Sequence, residues 1–93
     1  MKYKAEIKLK KEGGRKEAIR HSPFLGHIKF NEADAEGFSV KVFFDDTVHW
    51  EVGESMECRV EFLHYDIFPV DLRGDVFTLF DGRVIGNGRF ASS

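Results

Sequence analysis

Phe77-Thr78-Leu79-Phe80-Asp81-Gly82-Arg83-Val84-Ile85-Gly86-Asn87-Gly88-Arg89-Phe90 reads as two short strands joined at Asp81-Gly82. An Asp-Gly pair flanked by apolar runs is among the strongest short-range hairpin signals a sequence carries. Gly86 and Gly88 stand two residues apart, so one face of the second strand has no side chains there. A neighbouring backbone or a bulky ring can approach that face. A chain that ends on such a strand is expected to be a small barrel sealed by it.

Outward from the hairpin, alternation marks the other strands. Met56, Cys58, Val60 and Phe62 share one face of a segment whose other face is Glu57, Arg59 and Glu61. Phe38, Val40, Val42 and Phe44 alternate with Ser39, Lys41 and Phe43, and Tyr3, Ala5, Ile7 and Leu9 alternate with lysines and Glu6. Period two with polar partners is the pattern of a half-buried strand. A sixth strand is expected over His27–Asn31, after Gly26. The segment from Glu12-Gly13-Gly14-Arg15 to Ser22-Pro23 reads as a long polar loop, with a single helical turn expected at Ala18-Ile19. Pro69 and the charged group Asp71 to Asp75 break regularity before the closing hairpin. Six strands of even size, with no sustained helical period and no repeat, predict an antiparallel barrel or small sandwich.

The 93 residues fit one domain. A chain of this size buries roughly 60–65% of the surface it exposes when unfolded, enough for one core and no separate active-site lobe. Ten phenylalanines, one tryptophan and two tyrosines supply that core. No apolar run reaches the ~18–20 residues of a membrane-spanning helix. Cys58 is the single cysteine, so no internal bridge forms, and a reducing, cytoplasmic setting is expected. Charge is unevenly distributed: residues 1–20 hold eight basic and three acidic side chains, residues 21–93 six and thirteen. A basic arm on an acidic body suits phosphate, an acidic partner, or the body itself.

In order along the chain, Gly13-Gly14-Arg15, His21-Ser22-Pro23-Phe24, Val52-Gly53-Glu54 leading into Val60-Glu61-Phe62-Leu63-His64, and Gly82-Arg83-Val84-Ile85-Gly86-Asn87-Gly88 resemble the C-terminal domain of translation elongation factor Tu. That domain shows a Gly-Gly-Arg followed by a Thr-Pro-Phe, a Pro-Gly-Asp turn before a Val-Glu-Leu-Ile strand, and a closing Gly-Arg-Thr-Val-Gly-Ala-Gly. The likeness runs from Tyr3 to Phe90 and implies a six-stranded antiparallel Greek-key β-barrel, here as a stand-alone domain without the GTPase domain and middle barrel. Lys16 to Arg20 is an extra segment relative to the family pattern, and the strand after Pro-Phe is shortened to Gly26–Phe30. Barrels of that family contact the T-stem of aminoacyl-tRNA and a nucleotide-exchange factor. The matching positions here are Arg15 or Arg20 with His21, then His64 and Gly82.

Catalysis finds no support in the residues. Asp71-Leu72-Arg73-Gly74 has the Asp-x-x-Gly form of GTPases, but no Gly-rich loop ending in Gly-Lys-Ser/Thr accompanies it. His21, His27, His49, His64 and Cys58 lack paired metal-ligand spacing, so no metal or other cofactor is expected. Cys58 and His64 lie six apart on one strand, about 20 Å at ~3.3 Å per residue, too far for a nucleophile–base pair. Asp45-Asp46 and Asp34/Glu36 fall in turn-like segments where carboxylates bind backbone amides.

Binding is therefore the expected function, most readily of a protein partner. Arg15, Arg20 and His21 in the long loop are its first candidate residues. Arg83 and the aromatic segment holding Tyr65 and Phe68 come second, because aromatic and arginine side chains favour interfaces. The alternative is RNA bound through loop 13–21 by Arg15, Lys16, Arg20 and His21, with His64 and Gly82. Tyr65, Phe68 or Phe43 would then supply stacking surfaces. An isoelectric point near 6.1 favours the protein reading.

Overall fold

Side-chain alternation sorts this chain into an inside and an outside. Ala5, Ile7 and Leu9 of β1 (Lys2–Leu9) are buried, while Lys4, Glu6 and Lys8 between them are exposed. The same period runs through β2 (Phe24–Lys29), β3 (Phe38–Phe43), β4 (Ser55–Phe62), β5 (Val76–Phe80) and β6 (Val84–Phe90). The computed structural model describes residues 1–31, 37–65, 68 and 76–91. Asp34, Glu36, Pro69 and the Asp71–Asp75 segment lie outside the described residues.

All paired strands are antiparallel, and the order β1-β4-β3-β2-β5-β6 closes on itself. β2, β3 and β4 are sequential neighbours and β1 lies beside β4, which is a Greek-key arrangement. The expected six-stranded antiparallel barrel is the observed one. Closure leaves no open sheet edge between first and last strands.

β6 makes that closure. It pairs with β5 from Val76↔Arg89 to Leu79↔Gly86, and with β1 from Ala5↔Phe90 to Leu9↔Gly86. Both kinds of close approach expected at its glycines occur. A Cβ on Gly86 would stand 2.7 Å from the Lys8 carbonyl oxygen. One on Gly88 would overlap the Phe77 ring and lie 3.0 Å from Ile7 Cγ1. The turn spans Asp81-Gly82-Arg83, with Gly82 at φ +76° and the Asp81 amide donating to the Arg83 carbonyl at 2.9 Å. The register shifts between Leu79 and Phe80, so Ile85 is the extra residue of a bulge.

Two local expectations are corrected. β2 begins at Phe24 and ends at Lys29, earlier than His27–Asn31. Gly26 does not interrupt it; an inward Cβ at that position would meet the Phe24 ring at 3.0 Å and the Phe80 carbonyl at 3.4 Å. Ala18-Ile19 forms no helical turn. Ile19 instead makes an isolated antiparallel bridge to Trp50.

The core is aliphatic in the middle, with Ile7, Ile28, Val40, Val42, Val60 and Leu79 fully enclosed. One end is closed by rings. Phe62 and Phe68 stack at 4.0 Å between centroids, and Phe30, Phe38, Phe77 and Phe90 surround them. The Tyr3 hydroxyl fastens this plug, donating to the Phe68 carbonyl at 2.8 Å and accepting from its amide at 3.0 Å. Segments 10–23, 44–54 and 81–83 cover the other end.

Candidate functional site

The loop-bearing end is built on one buried ring. Trp50 is fully enclosed, its indole N–H donates to the Glu54 carbonyl at 2.9 Å, and Phe44 lies 5.4 Å from it. Its backbone exchanges two hydrogen bonds with Ile19, at 2.9 and 3.0 Å. The long loop is thus tied across the barrel mouth to the β3–β4 connection. Ser22 adds a second tie: its amide donates to Asp46 Oδ2 and its hydroxyl accepts from the Phe44 amide, both at 3.0 Å. The Ser22–Pro23 peptide is cis.

These anchors set the positions of the candidate side chains. Arg20 and His21 follow the buried Ile19 directly and are exposed. Arg20 Nη1 lies 3.3 Å from His49 Nδ1. Arg15 is held on three sides: Nε donates to the Glu17 carbonyl at 3.2 Å, Nη1 is 3.9 Å from Asp81 Oδ2, and the guanidinium lies 5.4 Å from the Phe24 ring centroid. Lys16, Gly82 and Arg83 are exposed on the same end. Asp45 is fully exposed, and Thr47 holds its carboxyl below the usual range through a hydroxyl bond at 2.6 Å and an amide bond at 3.1 Å.

The candidates do not form one set. Arg15, Lys16, Arg20, His21, Gly82 and Arg83 share the loop-bearing end, whereas His64, Tyr65 and Phe68 lie beyond β4 at the opposite end. Phe68 is only 3% exposed and is part of the ring plug, so it offers no surface for a partner or a base. Tyr65 is 47% exposed and packs edge-on against Phe68 and Phe38. Trp50 is likewise a plug.

The picture of a basic arm on an acidic body also changes. The six strands carry seven lysines and arginines against three glutamates, a net of +4, and the rest of the chain seven against thirteen, a net of −6. Charge is divided between wall and connections. The cations of segment 10–23 and the carboxylates Asp45, Asp46, Glu51 and Glu54 of segment 44–54 lie at the same end of the barrel.

Beside these loops an open groove of about 580 Å³ runs between the end of β3 and the start of β4. Phe43, Phe44, Val48 and Met56 give it an apolar floor, and Lys4, Asp45, Glu57 and Arg59 flank it. It exists because β4 pairs with β1 as far as Ser55, whereas the β3 ladder ends at Phe43↔Arg59. Val48 is 53% exposed there. Sequence reading missed this groove because strand ends that diverge leave no periodic signal.

Cys58 borders the groove from inside. It is 3% exposed, and burial, with Glu57 nearby, pushes its thiol from 9.0 up to about 12. A thiol raised in this way contributes stability below its unfolded value and loses it as pH rises toward the folded one. The wild-type barrel is expected to lose about 1.5 kcal/mol between pH 7 and pH 10 that Cys58→Ala does not lose, as read by urea unfolding. Parallel losses in both proteins would mean that the folded thiol ionises freely. Among the described residues no cluster of three or more His, Cys, Asp or Glu side chains converges to hold a metal ion, and no helix is long and apolar enough to cross a membrane.

Compared with known proteins, the chain matches no family model and no curated sequence.

Proposed function

We propose that this protein is a non-catalytic binding module that takes a protein partner at its loop-bearing end. The observation that carries the reading is the groove lined by Phe43, Phe44, Val48 and Met56, flanked by cations and carboxylates in similar number. An apolar centre inside a polar rim of both signs is the anatomy of a protein–protein contact. Arg20 meets His49 and the Ser22 amide meets Asp46, each next in sequence to a groove residue, Val48 and Asp45. The resemblance to the C-terminal barrel of elongation factor Tu supports a translation-related partner.

RNA binding through loop 13–21 has weaker support. Arg15 is engaged by Asp81 and Phe24, Arg20 by His49, and the carboxylates of segment 44–54 share the end with them. Phosphate binding needs clustered donors in a positive field.

The test is affinity capture from a lysate with wild type, Val48→Glu and Arg20→Glu, followed by mass spectrometry. A partner retained by wild type should be reduced at least ten-fold by Val48→Glu, and less by Arg20→Glu. A retained set that is the same for all three proteins defeats the reading.

A further inference from the structure

The barrel wall carries a surface of a different kind from the loop-bearing end. On a strand, residues two apart face the same side. Val40 and Val42 face in, so Phe43 faces out; Phe77 and Leu79 face in, so Phe80 faces out. Both rings are partly exposed. Each is covered by an ammonium group: Lys2 Nζ is 4.1 Å from the Phe43 centroid, and Lys29 Nζ is 4.2 Å from that of Phe80.

Strand register places the two rings on one diagonal. Phe80 pairs with His27, His27 with Ser39, and Phe43 lies four residues further along β3, paired with Arg59. Two strand spacings of ~4.8 Å and four residues of ~3.3 Å put their backbone positions about 16 Å apart along the curved sheet. Leu25 and Lys41, themselves paired, lie between them, and Leu25 is 60% exposed. Lys2, Lys29, Lys41 and Arg59 surround this diagonal, with Glu61 the carboxylate that pairs with both Lys2 and Lys41. With Lys4, Asp45 and Glu57 also beside Phe43, five cations stand against three carboxylates along this side of the wall, on a chain whose net charge is −2.

We infer that this face, across β5, β2, β3 and β4, binds single-stranded nucleic acid, with bases stacked on Phe80 and Phe43 and phosphates on Lys29, Lys41, Lys2 and Arg59. The chemistry selects this ligand. Every base has an aromatic face, and stacking on a side-chain ring is tolerant of sequence. The lysines that cover the rings in the free protein move to phosphate when bases take their place. An acidic peptide satisfies the cations and leaves the rings unused. A duplex does the same, because its bases are stacked on each other. The spacing leaves room for intervening nucleotides over Leu25. Phe43 also borders the groove of the protein-binding proposal, but Phe80 and Lys29 do not, so the two readings separate at those residues.

Fluorescence anisotropy of labelled oligouridylate and oligodeoxythymidylate, a labelled duplex and a labelled polyglutamate tests it on the whole chain. Both single strands are expected to bind at low salt, at least ten-fold more tightly than the duplex or the polyglutamate, with affinity falling as salt rises. A preference between the two would show whether the 2′-hydroxyl is read. Phe80→Leu and Phe43→Leu keep an apolar side chain on the outside of the fold, and each should weaken binding about ten-fold. Lys29→Gln should weaken it and flatten the salt slope. No binding of either single strand at low salt overturns the inference. So does equal binding of duplex or polyglutamate, or unchanged affinity in Phe80→Leu with its fold confirmed by thermal unfolding.

Discussion

Gly88→Ala is expected to destabilise the barrel by about 3 kcal/mol in urea unfolding, well beyond the ~1 kcal/mol scale of strand propensity. The added methyl would overlap the Phe77 ring and press on Ile7 Cγ1 at 3.0 Å. Phe77 is 2% exposed and packs against Phe90 at 4.7 Å and Phe30 at 6.4 Å, so its ring has no open space to move into. The obstacle is a side chain, which gives the claim a second handle. Phe77→Leu should recover part of the loss in the Gly88→Ala background although it costs stability by itself, and the double-mutant cycle should show coupling above ~1 kcal/mol. Gly86→Ala differs in kind, since the added Cβ would lie 2.7 Å from the Lys8 carbonyl oxygen. No side-chain truncation relieves a backbone contact. Gly86→Ala should weaken the β1–β6 ladder directly, seen as faster amide exchange along Lys8–Lys10. Additive free energies for Gly88→Ala and Phe77→Leu would show that the ring does not occupy the space above Gly88.

The glycine spacing could be read this way from sequence because it is local: two missing side chains on one strand face have one physical meaning, whatever lies opposite. The same holds for the alternation in β1, β3 and β4, where hydrophobic pattern alone decides which side is buried. Phe43 also announced itself, as a ring on the polar parity of its strand. What it belongs with did not. Phe43 and Phe80 are 37 residues apart in sequence, and only the register through His27 and Ser39 places them on one diagonal. Sequence spacing likewise joined the strand-one lysines and the first loop into one basic arm, whereas the fold sets Lys2 over the Phe43 ring and turns Arg15 toward Asp81. The Ile19–Trp50 bridge and the Tyr3–Phe68 clamp are single long-range pairs. Nothing periodic precedes either, so Phe68, beyond a strand end, reads as an interface candidate when it is part of a plug. An exposed ring and an enclosing ring have the same letter; neighbours brought in by topology make the difference.

Trp50→Ala is the substitution expected to separate the loops from the barrel. A fully buried tryptophan replaced by alanine costs about 3–5 kcal/mol, a large share of the ~5–15 kcal/mol that holds a domain folded. Here the ring also organises what lies above it. The indole N–H donates to the Glu54 carbonyl at 2.9 Å, and the backbone on either side of the ring exchanges both hydrogen bonds of the Ile19 bridge. The alanine backbone can still form the bridge, but without the ring beneath it Ile19 and Phe44 face a cavity. Trp50→Phe should retain most of the fill and lose the indole hydrogen bond, giving a smaller loss of about 1–3 kcal/mol. The consequence for binding follows from geometry. Arg20 and His21 leave the chain directly after Ile19, and Asp46 and Val48 precede Trp50 closely, so both loops of this end rest on one anchor. In Trp50→Ala the amides of Ile19 and of the substituted position should exchange at rates approaching those of the exposed turn at Gly82, while Ile7 and Val60 in the wall stay protected. Capture of a protein partner should fall with that exchange, and oligonucleotide binding at Phe80 should change little as long as the wall stays folded. If both bridge amides remain as protected as the wall, the loops are held by Ser22, Asp46 and Phe44 instead, and the ring only fills space.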